Sequence, residues 1–310
     1  MLSSLQSEKK RRELNEKLIK YTLILAAAIS ILTTFGILFS ILFEAIEFFQ
    51  LRSFWYFLTG TIWSPGVANS QFGALPIFAG TFVITIIALL VAIPIGLGSA
   101  IYMSEYASPK FRDYLKPILE ILAGIPTVVY GFFAAITVAP LVVKAAAFFG
   151  LEATFNSALA SGIVMGIMII PLISSLSDDV IRAVPDSQRK AAFALGMTHG
   201  ETIKNIVIPS AMPGIISASL LALSSALGET MIVVMAAGLR PNLSWNPLED
   251  MTTVTVTIVN SLVGDFEFNS PETLSAFALG LVLFIVTLIL NMISLSLIRK
   301  FKEKYKVNTL

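Results

Sequence analysis

The chain has 310 residues, of which 56% are hydrophobic and only 13% are charged, and its mean hydropathy is +0.84. This composition leaves too little polar surface for a water-soluble domain, so a large soluble enzyme is excluded. With no cysteine and a single histidine, disulfides, thiolate metal sites and His-rich clusters are excluded, and we expect no cofactor. Several apolar runs exceed the about 20 residues that a helix needs to cross a bilayer. The sequence therefore predicts an all-α integral membrane protein.

Six apolar segments are predicted to span the membrane, over residues 21–43, 74–103, 117–140, 156–176, 206–238 and 273–298. The first is longer than the apolar core of a signal peptide and ends in Phe43 and Glu44 rather than in small residues, which indicates a retained helix. Pro94, Pro126 and Pro171 interrupt later spans. The predicted divisions are a polar tail (1–20), a first span with an external interfacial segment (21–72), a core of five spans (73–298) and a basic tail (299–310).

The interfacial segment over residues 44–72 combines aromatic residues with turn formers, in Phe54-Trp55-Tyr56-Phe57 and in Trp63-Ser64-Pro65-Gly66. Trp and Tyr favour the boundary between headgroups and hydrocarbon. We predict a segment that lies on the outer membrane surface. The alternative is a docking surface for an external protein.

The basic residues are distributed unequally between the two sides of the predicted bundle. Residues 1–20, 104–116, 177–205 and 299–310 hold 18 of the 21 lysines and arginines, and the other side holds only Arg52, Lys144 and Arg240. Short cytoplasmic loops of membrane proteins carry such an excess of Lys and Arg. We therefore expect both termini and the 177–205 loop in the cytoplasm.

The segment Gln188–Pro209 carries the most specific pattern in the chain. It reads Lys190-Ala191-Ala192, three residues, Gly196, nine residues and then Ile206-Val207-Ile208-Pro209. This spacing resembles the EAA loop of ABC importer permeases, in which Glu-Ala-Ala, three residues, Gly and nine residues precede Ile-x-Leu-Pro. Lys190 stands where that family has Glu, and Ile208 where it has Leu. The alternative is an ordinary connecting loop.

The resemblance implies a MetI-like permease core in which this loop forms short coupling helices that dock on a separate ATPase subunit. The small side chains permit close approach, Gly196 suits a turn between the two helices, and Pro209 is expected to end the second helix at the membrane face. The implied coupling residues are Lys190, Ala191, Ala192, Gly196, His199, Ile206 and Pro209. Because Lys190 reverses the family's charge, we expect this contact to be weaker or remade with an acidic partner residue.

Glu229 is predicted to lie well inside the fifth span. A carboxylate in mid-membrane is costly, by about 2.5–3.5 kcal/mol on insertion scales, and usually marks a translocation pathway. We predict a pathway lined by Ser225, Glu229 and Thr230. The alternative is a buried glutamate that fixes helix packing.

Several short strings are similar to the phosphate ABC importer permeases, and within them to the PstC subunits. These strings are Phe72–Pro76, Ile93–Leu97, Ile101–Tyr106, Ala123–Gly131 and Ala226–Met231. The family often carries an arginine about one turn before the glutamate, where this chain has Ser225 and Ala226. A phosphate ion needs donors or positive charge. The residues leave open an arginine from the partner permease, helix N-terminal amides, a protonated Glu229, or a different solute.

The resemblance implies a prokaryotic inner-membrane complex with a PstA-like permease, a PstB-like ATPase dimer and an external PstS-like phosphate-binding protein, with no nucleic acid. The chain has no G-x-x-x-x-G-K-[ST] loop, so we expect that it is not itself an ATPase. The alternatives are an importer permease for another oxyanion or small solute, and a self-powered secondary transporter. The second alternative is weakened because we find no internal repeat and only one deep carboxylate.

Overall fold

The computed structural model describes residues 2–66, 69–263, 267 and 269–304, so the last six residues of the predicted basic tail lie outside it. Within these residues, six helical segments are long and apolar enough to cross a membrane: Asn15–Leu51, Leu75–Tyr106, Thr127–Phe148, Ala158–Arg182, His199–Gly228 and Pro271–Lys300. The prediction of six spans is confirmed. Which side of the membrane holds the termini stays a prediction.

The helices, in chain order, are α1 (Leu2–Leu51), α2 (Phe54–Thr59), α3 (Leu75–Ile101), α4 (Pro109–Ala123), α5 (Thr127–Phe133), α6 (Ala139–Phe148), α7 (Ala158–Arg182), α8 (Asp186–Ala194), α9 (His199–Thr202), α10 (Ile208–Gly228), α11 (Met231–Ala236), α12 (Val254–Val263) and α13 (Pro271–Lys304). Three π-helical turns continue helices without a gap: Tyr102–Tyr106 after α3, Ala134–Val138 between α5 and α6, and Ile203–Val207 between α9 and α10. The antiparallel strands β1 (Trp63–Ser64) and β2 (Gln71–Phe72) form a small hairpin.

Helix α1 is one uninterrupted element of 50 residues, which at 1.5 Å per residue is about 75 Å long. The predicted polar tail (1–20) and first span (21–43) are parts of this one helix, and where the membrane begins along it stays a prediction. The helix is continuous because this stretch contains no proline and a single glycine, Gly36, so nothing ends the helix where the side chains change from polar to apolar. Among the side chains of α1 that the structure describes, Ala45 and Phe48 near its end are the buried ones.

The segment predicted to lie on the membrane surface contributes aromatic residues to a buried cluster that it shares with α1, α3, α12 and α13. Phe48 is fully buried and meets Phe57 and Phe72 edge to face at ring-centroid distances of 5.4 and 5.5 Å. Trp63 is only 8% exposed, because it packs on Phe72 across the hairpin. Trp55 is 73% exposed, as a residue at the membrane surface would be, whereas Trp63 is buried in the protein; the interfacial location of the segment stays a prediction.

The centre of the bundle is formed by α7 packed between α3 and α10. The helices approach closely because glycines face larger residues: a Cβ at Gly162 would lie 2.7 Å from Ile87, and one at Gly214 would lie 2.2 Å from Val180. Pro94 and Pro171 lie inside continuous helices rather than ending them. The three helices therefore form one tightly packed unit.

The third span begins later than predicted. Residues 117–123 belong to α4, and the turn Gly124–Pro126 separates α4 from the membrane helix that starts at Thr127. The Tyr130 hydroxyl donates a hydrogen bond of 2.9 Å to the Leu122 carbonyl and holds the two helices together across the turn. Pro126 has a fixed φ and no N–H, so the helix restarts after it. The span also ends later than the predicted residue 140, so that Lys144 lies inside α6.

Helix α4 is amphipathic and is joined to α7 by ion pairs. Arg112 lies 2.6 Å from the fully buried carboxylate of Asp178, and Lys116 lies 2.7 Å from Asp179. The opposite side of α4 exposes apolar residues, among them Tyr114. The charged side thus fixes α4 to the core, and the apolar side remains on the surface of the single chain.

Candidate coupling and translocation sites

The segment with the importer-loop spacing folds into the two short helices that the resemblance implied. Helix α8 ends at Ala194, and Gly196 then adopts φ +82°, a left-handed conformation that favours glycine. The Met197 N–H donates to the Ala192 carbonyl, which closes the turn. Helix α9 begins with a capping box, in which Thr198 and Glu201 satisfy each other's backbone N–H groups. The prediction of a glycine turn at 196 is confirmed.

Two apolar side chains on this turn project into solvent. Leu195 is 84% exposed and Phe193 is 45% exposed, next to exposed Lys190 and Ala191, whereas Ala192 is buried. Sequence reasoning missed Leu195 and Phe193, although an apolar pair in a polar loop was a visible signal of a contact surface. The two predicted alanines therefore have different surroundings: Ala192 packs inward and Ala191 remains accessible.

The coupling helices are attached to the end of α3. Arg189 of α8 lies 2.8 Å from the carboxylate of Glu105, and His199 Nε2 of α9 lies 3.2 Å from the Glu105 carbonyl oxygen. The His199 ring also packs edge to face on Tyr106 at 5.1 Å. His199, predicted as a docking or solvated residue, is thus exposed yet held. No local pattern could have found Glu105, which lies 84 residues from Arg189.

The prediction that Pro209 ends the second coupling helix is wrong. Helix α9 continues through the π-helical turn into α10, so that Pro209 and Pro213 lie within one helical segment from His199 to Gly228. In the π turn the Ile208 N–H donates to the Ile203 carbonyl, five residues earlier in the chain. The hydrogen-bond pattern of the helix has therefore already shifted by one residue at the position before Pro209. Ile206, a predicted coupling residue, is half-buried in this turn.

Glu229 does not lie inside the fifth span, and this prediction is corrected. Helix α10 ends at Gly228, and Glu229 occupies an extended break before α11. One Glu229 carboxylate oxygen accepts hydrogen bonds of 2.9 Å from Met231 N–H and 3.2 Å from Ile232 N–H. The side chain thus caps the start of α11, where a negative charge is favourable.

The other two predicted pathway residues are near the break but make no joint site with Glu229. Thr230 is half-buried and its hydroxyl donates weakly, at 3.4 Å, to the Gly228 carbonyl, while Ser225 is exposed on α10. The Thr255 hydroxyl of α12 donates a 2.8 Å hydrogen bond to the Glu229 carbonyl oxygen. Within the described part of the chain, no lysine or arginine forms an ion pair with Glu229. The break is therefore a polar, acidic site bounded by backbone and hydroxyl groups.

The loop between α11 and α12 closes the start of α7. The Glu249 and Pro247 carbonyls accept hydrogen bonds of 3.0 and 2.8 Å from the Ala158 and Leu159 N–H groups. Hydrogen bonds from the Asn242 amide, and then from Ser244 and Asn246, hold the pKa of the Glu249 carboxyl below its ordinary value of 4.5. The carboxylate thus organises this loop while it stays in contact with solvent.

The described residues form six helices that are long and apolar enough to span a membrane and two short helices before the fifth, which is the arrangement expected of an importer permease. Residues 92–306 match the family described as "Binding-protein-dependent transport system inner membrane component", and the chain belongs to this family. It is thus the permease subunit of an ABC importer, a transport component rather than the ATPase.

Relatives support the same assignment over most of the chain. The chain is 35% identical over 251 residues to the probable ABC transporter permease protein YqgH of Bacillus subtilis, covering 81% of this chain and 78% of that protein. It is 34% identical over 287 residues to the phosphate transport system permease protein PstC of Mesorhizobium japonicum, covering 86% and 84%. To PstC 1 of Mycobacterium tuberculosis it is 32% identical over 276 residues, covering 79% and 82%.

Solved structures show the same fold. A bacterial alginate ABC transporter in complex with a pentasaccharide-bound periplasmic protein aligns with TM-score 0.62 at 16% identity, covering 91% of this chain and 94% of that chain. An inward-facing MetNI methionine ABC transporter aligns with TM-score 0.55 at 14% identity, covering 74% and 94%. The predicted MetI-like core is confirmed.

Proposed function

We propose that this chain is half of the translocation pore of an ATP-driven importer for inorganic phosphate. The observation that carries the proposal is the similarity to several phosphate permeases over four-fifths or more of the chain, together with the importer-loop spacing at Lys190–Pro209. The other half of the pore is a PstA-like permease. A PstB-like ATPase dimer and an external PstS-like binding protein complete the complex.

The coupling surface is the turn between α8 and α9, and its docking partner is the ATPase. Exposed Leu195 and Phe193 supply apolar area, and Lys190 supplies a positive charge that suits an acidic residue of the partner. Docking on an ATPase requires that the turn lies in the cytoplasm, and we infer that both termini lie there as well. The excess of basic residues on that side of the membrane supports this orientation in a prokaryotic cell. ATP binding closes the ATPase dimer, the coupling helices move with it, and the pore opens outward to receive solute from the binding protein.

The solute pathway passes the helix break at Glu229. The carboxylate already occupies two amides of α11, so these amides are not free to bind the anion. The positive charge that a phosphate ion needs therefore comes from the partner permease, most simply from an arginine facing the break. The Thr230 and Thr255 hydroxyls lie beside the break, but they donate to the Gly228 and Glu229 carbonyls and are engaged as well.

Uptake of radiolabelled phosphate by proteoliposomes that contain the whole complex tests the solute. We expect uptake that requires ATP and the binding protein, with arsenate competing and sulfate not competing. Competition by sulfate instead of arsenate would show that the solute is another oxyanion. Uptake without the ATPase would contradict the importer function altogether.

Co-purification of the ATPase tests the coupling surface separately. Leu195→Glu introduces a charge into the proposed apolar contact, and we expect the ATPase to be lost from the purified complex. The matched control is Leu243→Glu, because Leu243 is 43% exposed in the loop between α11 and α12. Equal ATPase recovery in both variants would contradict the proposed docking surface.

A further inference from the structure

Both coupling helices converge on one residue of the second span. Glu105 lies in the π-helical turn that ends α3, and its side chain is only 5% exposed. One oxygen of its carboxylate lies 2.8 Å from the guanidinium of Arg189 in α8, and its carbonyl oxygen lies 3.2 Å from His199 Nε2 of α9. A single residue thus contacts the two helices that carry the importer-loop pattern.

Arg189 is fixed by more than this ion pair. Its guanidinium, 16% exposed, also donates to the carbonyl of Ile181 at the end of α7, at 3.0 Å, and to the carbonyl of Val184 just beyond that helix. The planar guanidinium presents several donors in fixed directions, so it joins α7, α8 and α3 in one orientation. A lysine in its place would offer a point charge without this geometry.

Apolar packing contributes little to holding α8 in place. Of its nine residues only Ala192 is buried, and Phe193 directs its exposed ring against His199 at a centroid distance of 6.2 Å. A force applied to α8 therefore reaches the second span through the Arg189–Glu105 pair and the His199 contact, whereas α10 is linked to it through the continuous helix after α9 and the Ser210–Gln188 hydrogen bond. The π-helical turn that carries Glu105 has longer, less regular hydrogen bonding than an α-helix, which is typical of functional positions.

We propose that Glu105 is the residue through which the coupling segment moves the second span, with Arg189 and His199 as the groups that hold it. The inference rests on the proposed docking of this segment on the ATPase. Glu105 and Arg189 are positioning residues: they touch neither ATP nor solute, and they keep α3 moving together with α8.

The first test compares phosphate moved per ATP hydrolysed, in proteoliposomes containing the full complex and the binding protein. We expect Glu105→Gln and Arg189→Gln each to lower this ratio about fivefold or more, with the ATPase still bound. The double variant falls no lower than Arg189→Gln, because the pair is already broken. Single variants with the normal ratio, or a double variant whose loss is the product of the two single losses, would overturn the proposal.

A matched control separates this role from general destabilisation. Arg112 is 18% exposed and pairs with fully buried Asp178, so this pair resembles Arg189–Glu105 in burial but joins α4 to α7. Arg112→Gln is expected to lower thermal stability while the ratio of phosphate to ATP stays within about twofold of the unmodified complex. An equal loss of coupling in this variant would show that any broken buried pair uncouples the complex, and the proposal would fall.

A distance measurement tests the link without relying on the solute. The chain has no cysteine, so spin labels can be placed at Ser187→Cys in α8 and Tyr102→Cys, both of which are exposed and lie outside the proposed docking surface. We expect the label distance to stay constant between nucleotide-free and ATP-trapped complexes, and to change on trapping when Glu105→Gln is added. If the complex shows this distance behaviour but takes up no phosphate, the proposed solute is wrong and the proposed link through Glu105 is retained. A distance that stays constant in the Glu105→Gln complex would refute the link.

Discussion

Replacing Glu229 separates its observed role as a helix cap from its proposed role as a pathway charge. Glutamine keeps an oxygen that can accept from Met231 and Ile232 but loses the charge, and the difference between charged and neutral hydrogen bonds is about 1 kcal/mol. Alanine leaves both N–H groups without their acceptor. Loss of a helix N-cap costs about 0.5–2 kcal/mol, and the partial exposure of Met231 (42%) lets water compensate in part, so we expect about 2 kcal/mol.

Denaturation of the purified complex in detergent measures the cap, and phosphate uptake measures the pathway charge. We expect unfolding free energies to decrease from Glu229 to Gln to Ala, in steps of about 1 kcal/mol, and uptake to decrease already in the Gln variant. If Gln and Ala unfold at the same denaturant concentration, the carboxylate does not cap α11. If the Gln variant transports normally, the charge has no part in the pathway.

Three further predictions concern the frame around these sites. A Cβ at Gly80 would lie 2.2 Å from the Thr252 carbonyl oxygen, so Gly80→Ala is expected to lower the free energy of unfolding by about 1–3 kcal/mol. A Cβ at Gly98, on the same helix, meets nothing within 4 Å, so Gly98→Ala is expected to raise it by about 0.5–1 kcal/mol. Equal thermal unfolding midpoints for the two variants would contradict the packing at Gly80. Gly196→Val forces a β-branched residue to φ +82°, so we expect less ATPase to co-purify with this variant. Asparagine tolerates that conformation, so Gly196→Asn is expected to retain the ATPase. More ATPase with the Val variant than with the Asn variant would refute the role of this turn. Because the pKa of Glu249 is lowered, the stabilisation of the loop by its carboxylate is complete above the ordinary value of 4.5 and is lost as the pH falls through the lowered pKa. We therefore expect hydrogen exchange at the Ala158 amide to accelerate below pH 4.5. The variant Glu249→Gln should remove that pH dependence.

The parts of the fold that follow from short stretches of sequence were predictable. Each span is a long apolar run, and length and hydropathy alone decide whether a helix can cross a bilayer. The turn at Gly196 was predictable because the left-handed conformation favours glycine and the flanking spacing marked its place. The capping box of Thr198 and Glu201 is likewise a local signal, three residues apart.

The parts that depend on contacts between distant elements were not predictable. Arg189 appeared as one more basic residue of a loop, because its partner Glu105 belongs to a different span. The break after Gly228 left a weak signal, since a glycine inside an apolar run is compatible with a continuous membrane helix. Trp63 was assigned to the membrane surface because an aromatic residue has the same sequence signature whether it lies at an interface or packs against Phe72.

The position of the break at Glu229 follows from where the packed unit ends. Helix α10 holds 21 residues, about 32 Å at 1.5 Å per residue, and is packed on α7 where Gly214 meets Val180. A continuous helix transmits displacement along its axis, so movement of the coupling segment reaches the far end of α10 with little loss. There the chain leaves helical geometry, and Thr255 of α12 holds the Glu229 carbonyl. Under the proposed transport cycle, movement of α10 against α12 is absorbed by the backbone at Gly228–Thr230, beside the Glu229 carboxylate that we propose faces the pathway.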